Sequence, residues 1–301
     1  MMRTNNQKFA VSVEKLKMID PVEKRIKSEN SLIERSNRGP VTISMLIGDL
    51  GRLGVKKGMT IIVHSSLSSI GWVCGGASAF IIALQKTVTG EGTIIMPTFT
   101  GENSDPAGWR SPAVPEKWIS IIKDEMPPFN ENLTPTKKTM GLIPECFRNG
   151  EDVFRSCHPR SSFAAWGKLG KELTQNCPYD FPFGTNSPMG RAYENDAYLL
   201  LVGVTFRKAS SWYLSAYLSQ NDPNCTPLKL ETCSSVVIEN GERKWVKYKD
   251  YERYADDFFG IGEDYCNAKK ISRGLIGHAV SILTSQVEAV NFAKDWMVKN
   301  R

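Results

Sequence analysis

Apolar positions in the first third of the chain follow two spacings in turn. From Thr42 to Leu53 the residues Met45, Leu46, Leu50 and Leu53 recur three and four apart, which predicts a helix, and Gly54 supplies its stop. Ile61, Ile62 and Val63 then form a short β-branched run, the mark of a buried strand. The run ends in His64 and a cluster of hydroxyls, Ser65, Ser66, Ser68 and Ser69, followed by Gly71-Trp72 and Gly75-Gly76. Behind them Phe80, Ile81, Leu84 and Val88 put one apolar side on a second helix. The order is strand, polar loop, helix. Such a loop lies at the carboxyl end of a strand, where open α/β sheets place their ligands and free backbone N–H groups suit a phosphate or a carbonyl oxygen. Gly90-Glu91-Gly92 turns into a second apolar strand, Thr93 to Met96, which ends in Pro97-Thr98-Phe99-Thr100 and so repeats the pattern. Two such units in succession predict a parallel or mixed sheet with helical crossovers.

Residues 101–136 are rich in Pro, Trp and Asp and read as a long loop with one helix near Trp118 to Ile122, placed to cover a substrate. Pro144 to Phe147 reads as the first turn of a short helix, because Pro is well placed at a helix start. Phe183 to Gly190 is a loop opening another helix, and Ala197 to Val204 is the most hydrophobic strand of the chain, expected at the centre of the sheet. After Ser235 the pattern changes. Val236-Val237-Ile238 and Trp245 to Tyr248 flank Asn240-Gly241, a hairpin turn signal, so an antiparallel addition to the sheet is expected in the last third. Residues 285–298 read as a closing helix. The fold class is therefore α/β, a mixed central sheet with flanking helices and an antiparallel β-hairpin addition. Residues 1–39, with nine Lys/Arg against five Asp/Glu and no sustained apolar face, read as a charged N-terminal extension, with a helical turn or two over Ala10 to Leu16 and an end at Asn37-Arg38-Gly39-Pro40. Residues 40–301 form one domain.

Composition narrows the function classes. No apolar run reaches the roughly 20 residues that span a bilayer, and the polar N-terminus has no signal core, so a cytoplasmic protein is expected. The seven cysteines are irregularly spaced without a Cys-x-x-Cys, and there are three histidines. No structural metal is expected from that pattern, and the thiols read as reduced. The net charge of +6 is dispersed, unlike the basic stripe of a nucleic-acid binder, and suits attraction of an anionic cofactor.

Several short stretches follow one another in a characteristic order. They are His64-Ser65-Ser66-Leu67-Ser68-Ser69-Ile70-Gly71, Met96-Pro97-Thr98, His158-Pro159 with Ser162-Phe163-Ala164-Ala165-Trp166-Gly167, Gly184-x-x-Ser187-Pro188, Leu199 to Val204 and the tail from Gly277 to Trp296. Together they make the chain from residue 42 onward resemble the aminoglycoside N(3)-acetyltransferase family, the non-GNAT antibiotic N-acetyltransferases. The resemblance implies transfer of an acetyl group from acetyl-CoA to a small-molecule amine, with neither nucleic acid nor membrane as partner and a homodimer left open. It also implies a coenzyme A channel lined by His64, Ser65, Ser66, Leu67, Ser69, Ile70, Gly71, Trp72 and Val73, with Thr98, Ser162 and Phe163. The family's base lies after the hydrophobic strand, in a pattern Asp-x-x-Thr-x-x-His-x-x-Glu. Here Arg207 stands for the Asp, Ser210 for the Thr, Tyr213 for the His and Ala216 for the Glu. Base and orienting acid are both replaced, which implies an acceptor other than a typical aminoglycoside, or a coenzyme A-binding protein that has lost transfer.

A phenol, with an ordinary pKa near 10, is a poor base at neutral pH, and loss of a positioned base costs about 10²–10⁴-fold in rate. The expected catalytic set is Tyr213, Ser210 and, as substitute base, His158; Asp105 in the covering loop and Arg207 are expected to face the acceptor. Each histidine also has a structural reading: His158 holding a loop, His64 at a strand end, His278 near the C-terminal elements. Cys157 beside His158 reads as strand, with the two side chains on opposite faces, which argues against a nucleophile pair.

Overall fold

The computed structural model describes residues 21–36, 39–252 and 255–301. The chain divides between Gly39 and Pro40 into two units. The first contains helix α1 (Pro21–Arg35), which no periodicity in the sequence predicts; the turns expected over Ala10 to Leu16 lie outside the described residues. Val22, Ile26 and Ile33 are exposed on α1, and their sparse spacing explains why no sustained apolar face is legible.

The second unit begins with α2 (Ile43–Leu53). Its start is capped by Thr42, whose Oγ1 accepts the Met45 N–H at 3.3 Å, and its end by Gly54 at φ +107°. Strand β1 (Thr60–Ser65) leads through the one-turn α3 (Leu67–Ile70) into α4 (Gly76–Val88), then β2 (Thr93–Pro97). The covering segment holds α5 (Glu116–Glu125) and runs into α6 (Leu142–Arg148). Next come β3 (Val153–Arg155), β4 (Phe163–Gly167), α7 (Gly170–Thr174), α8 (Pro188–Glu194), β5 (Tyr198–Val202) and α9 (Ser211–Ser219). The chain closes with β6 (Leu230–Glu239), β7 (Glu242–Tyr251), α10 (Phe258–Ala268), β8 (Ser272–Ile276), β9 (Ala279–Ser285) and α11 (Gln286–Asn300).

Seven strands form one mixed sheet in the order β3-β4-β2-β1-β5-β9-β8. Its middle three, β2, β1 and β5, are parallel, with Ile61 opposite both Ile94 and Tyr198; the outer pairings are antiparallel. Alternation along β1 sorts two cores. Ile61 and Val63 pack with Leu46 and Leu50 of α2 and Phe80 and Leu84 of α4, while Ile62 packs on the face that holds Leu201, Trp212 and Ile261. Leu199, Leu200, Leu201 and Val202 are all fully buried, and β5 lies inside the sheet between β1 and β9 as its hydrophobicity requires.

The hairpin departs from expectation in one respect. Its turn is formed by Asn240 at φ +53° and Gly241 at φ +83°, as the Asn-Gly signal predicts, but β6 and β7 make their own two-stranded sheet and do not extend the main one. The antiparallel addition to the main sheet is instead β8-β9. The hairpin holds the covering segment: Val236 O accepts the Phe129 N–H at 2.9 Å, and Lys123 O accepts Trp245 Nε1–H at 2.9 Å. Ser234 O accepts the Asp105 N–H at 3.2 Å.

Candidate active site

β1 stands between β2 and β5, so the chain leaves it toward different neighbours and the loops at the carboxyl ends of the three parallel strands part there. A cleft of about 680 Å³ opens at this point. Its floor is His64, Ser65, Ser66 and Leu67 from the end of β1, with Gly203 and Val204 after β5. One wall is Lys137 with Thr139 to Pro144; the other carries Arg207 and Lys208 from the turn before α9, then Ser210 and Tyr213, with Asp256 at the rim.

The floor is organised by hydroxyls. Ser66 N–H donates to Val202 O at 2.9 Å, Ser69 Oγ donates to Ser66 Oγ at 2.9 Å and to Gly203 O at 3.3 Å, and Ser66 and Ser68 hydroxyls meet at 3.1 Å. Gly203 has φ +65°, and a Cβ there would stand 2.3 Å from the Cβ of Ser69, so the floor requires glycine. Ser65 Oγ is buried without a protein partner among the described residues.

His64 is 6% exposed, and its Nε2 accepts the Ser210 N–H at 3.3 Å. Burial holds its imidazole down, from 6.5 to about 4. In the unfolded chain the ring takes its proton near 6.5, so between these values the unfolded state binds the extra proton. The contribution of this ring is full above about 6.5 and is lost as pH falls toward 4, by about 3 kcal/mol in all. Acid unfolding of His64→Asn, followed by circular dichroism, should therefore show a shallower loss of stability over that window; an unchanged slope would refute the buried neutral ring.

The aromatic wall is tightly packed. Tyr213 lies 4.7 Å from Phe183 and 5.0 Å from Phe258 between ring centroids, and Ala216 one turn on is buried in the core. Three cations, Lys137, Arg207 and Lys208, face one carboxylate, Asp256, among the described lining residues.

The structure brings together His64, Ser65, Ser66, Leu67, Arg207, Ser210 and Tyr213. Ser69 faces a second cavity of about 770 Å³, which meets the cleft at Gly203 and Val204. Other expected site residues lie elsewhere, each for a physical reason. Ile70 is fully buried, and its carbonyl accepts the His278 N–H at 3.0 Å. Gly71, at φ +96°, turns the chain away; Trp72 is 46% exposed with its carbonyl accepting the Val41 N–H, and Val73 forms a bridge with Val41. Thr98, Ser162 and Phe163 are fully buried: the two hydroxyls meet at 3.1 Å, Ser162 Oγ donates to Thr98 O at 2.8 Å, and Phe163 stacks edge-on against Phe99.

His158 is 1% exposed outside the cleft lining. Its Nδ1 accepts the N–H groups of Arg160 and Ser161 at 3.2 and 3.0 Å, and its Nε2 bonds Tyr179 O at 3.0 Å, so the ring holds a loop and has no lone pair for a substrate. Cys157 is in that loop, not in a strand; its thiol donates to Cys177 O, and burial pushes it up, away from a nucleophile. Asp105 caps the turn at Ala107 and pairs with Lys123 at 2.7 Å, away from the cleft. Burial raises its carboxyl, but these bonds outweigh that and hold it below the usual range. Lys137, Met140, Lys208 and Asp256 also line the cleft, and no spacing in the sequence marks them.

A mixed sheet with a basic, hydroxyl-floored cleft beside its switch strand is an α/β domain with its cleft at the carboxyl ends of the parallel strands. Residues 62–298 match the family of aminoglycoside 3-N-acetyltransferases, and the chain belongs to that family. The SPbeta prophage-derived aminoglycoside N(3')-acetyltransferase-like protein YokD of Bacillus subtilis is 41% identical over 89% of this chain and 96% of its own length. The YokD crystal structure superposes with a TM-score of 0.86 over 90% of this chain and 98% of that one, at 40% identity. Aminoglycoside N(3)-acetyltransferase IX of Micromonospora chalcea is 29% identical over 89% of this chain and 97% of its own. AAC-IIIb, solved as a binary complex with CoASH, shares the fold at 23% identity with a TM-score of 0.78, covering 87% of this chain and 97% of that one.

Proposed function

We propose that this chain transfers an acetyl group from acetyl-CoA to the amine of a small molecule other than a typical aminoglycoside, without an imidazole base. What supports this reading is that Arg207 and Tyr213, the positions that the resemblance matches to the family's Asp and His, line the cleft wall. Coenzyme A fits the residues present. The unpartnered Ser65 hydroxyl gives the floor a donor, Leu67, Met140 and Val204 offer apolar surface to the pantetheine arm, and Lys137, Arg207 and Lys208 suit its phosphates. When bound, acetyl-CoA supplies an activated acyl thioester.

The same cations disfavour a polycationic acceptor. Arg207 is exposed, so its repulsion of an ammonium group is screened and amounts to about 1 kcal/mol per charge in water at 4 Å. Calorimetry with coenzyme A, alongside thiol release from acetyl-CoA across a panel of monoamines, amino acids and aminoglycosides, tests the reading. Binding heat with acceptor-dependent thiol release is the expected result, weakest for aminoglycosides and improved for them in Arg207→Asp. Binding without release on any amine would favour the coenzyme A-binding protein that has lost transfer, a reading supported by burial of Ala216. No binding would sink both.

A further inference from the structure

The ring of His64 lines the cleft at the end of β1, and one of its two nitrogens is already committed: Nε2 accepts the Ser210 N–H at 3.3 Å. A backbone amide cannot accept, so this bond assigns the tautomer, and in the neutral ring the proton sits on Nδ1. Nδ1 has no protein partner among the described residues. The amide that fixes it belongs to the residue opening α9, so the floor and the wall of the cleft meet at this one bond.

We propose that His64 is a catalytic residue of acyl transfer that works as a neutral hydrogen-bond donor, its Nδ1–H directed at the thioester carbonyl oxygen. This rests on the acetyl-CoA reading above. As the amine nitrogen bonds to the acyl carbon, the carbonyl oxygen gains negative charge, which Nδ1–H stabilises. The carbon–sulfur bond then breaks, the carbonyl re-forms, and the proton shed by the nitrogen ends on the leaving sulfur, so the products are an amide and coenzyme A thiol. A neutral imidazole keeps its proton through this cycle. Burial, which keeps the ring neutral down to about 4, makes it a donor that does not change state over the working pH range. The titratable and charged groups that share the cleft with it are Lys137, Arg207, Lys208, Tyr213 and Asp256.

The first measurement needs no ligand. Imidazole ¹⁵N spectra of the labelled protein should show His64 protonated at Nδ1 and bare at Nε2, with no titration between pH 5 and 9. The reverse tautomer, or titration near 6.5, would overturn the proposal whatever the protein binds. The second uses acetyl-CoA and coenzyme A separately: the Nδ1 proton should move downfield with the acetyl form and stay with the free thiol. If calorimetry shows both bind and neither moves the proton, the donor role fails while the acetyl-CoA reading stands; if neither binds, both fail.

Variants separate donation from packing. His64→Asn places an amide N–H where Nδ1–H stood, whereas His64→Gln places it at Nε2. With the best acceptor of the panel, His64→Ala and His64→Gln should lose on the order of 10²-fold in kcat. His64→Asn should recover part of that loss. Equal activity in Asn and Gln variants would refute a donor at Nδ1.

Discussion

Arg155→Met is expected to lower the unfolding free energy by about 3–5 kcal/mol, because it removes several charge-assisted hydrogen bonds, each worth about 1.5–3 kcal/mol, from acceptors of which some keep other partners. Arg155 is 8% exposed beneath the covering segment. Its Nε donates to Ser162 Oγ at 3.1 Å, one terminal nitrogen donates to Glu131 O and Thr134 O at 3.1 and 2.5 Å, and the other to Thr98 O at 2.8 Å. Its guanidinium also lies over the Phe129 ring at 5.1 Å. Burial, with Arg148 nearby, lowers the guanidinium to about 10, which Glu145 and Glu131 oppose, and it stays charged at neutral pH. Methionine fills similar space and donates nothing, so the half-buried Thr134 carbonyl loses this donor and the buried Thr98 carbonyl keeps only Ser162 Oγ. Arg155→Lys keeps the charge but cannot reach four acceptors in one plane, and should lose roughly half as much. Urea unfolding gives the energies. Amide exchange should quicken over residues 129–140, and coenzyme A binding should weaken with it, because this segment leads into the cleft wall through the Lys137 N–H bond to Phe99 O. A Met variant as stable as the parent, with unchanged exchange, would mean the loop is held by the hairpin and by Glu145 and Arg148, which bond Thr136 N–H and Asn132 O.

That network also explains what is legible in the sequence and what is not. β1, β2, β5, α2 and α4 can be read because each has a continuous or periodic apolar face, and the His64 to Leu67 floor can be read because a strand's carboxyl end is a position in the fold, not a contact. β8 escapes notice because Ser-Arg-Gly-Leu-Ile is a partly exposed edge strand with no clean alternation. The Asn240-Gly241 turn specifies its hairpin locally, but nothing in the residues of β6 and β7 says which edge, if any, they join. Thr98 and Ser162 are hydroxyls at strand ends, as Ser65 is, and the sequence does not say that the first two satisfy each other while Ser65 is left unpartnered. His158 reads as a candidate base until the backbone amides of Arg160 and Ser161 are seen on its lone pair. Lys137 and Asp256 reach the cleft through segments far apart in the chain, brought in by tertiary bonds that leave no periodic trace.

Transfer to a monoamine whose pKa is near 10 should accelerate about tenfold per pH unit from pH 6 to 9, close to a thousandfold in all. On the proposed reading, in which the enzyme supplies no base, the reactive acceptor is the free amine, whose fraction rises tenfold per unit below its pKa. A positioned imidazole would give a different shape. Rate would climb to the imidazole's pKa and then level, because above it the base is fully available and the bound ammonium can be deprotonated in place. The cleft has no such lone pair among its described residues: Nε2 of His64 is taken by the Ser210 N–H, and both nitrogens of His158 serve its own loop. Asp256 is the remaining carboxylate among the described lining residues, and a carboxylate base already ionised at pH 6 would leave kcat/KM level across the whole range. The slope of log kcat/KM against pH therefore separates the cases: a slope of one supports an unassisted amine, and a level profile would assign a base and refute the reading. Tyr213→His is the complement. It returns an imidazole to the wall beside Phe183 and Phe258, and should bend the line into a plateau above about 6.5 while raising the rate at pH 7 by up to about 10²-fold. Ala216→Glu is not needed for that test and would add a carboxylate to a buried site, a cost of several kcal/mol unless it finds a partner. If the single substitution bends the profile, the scaffold still aligns amine and thioester, and what this chain lacks relative to its family is the proton acceptor alone.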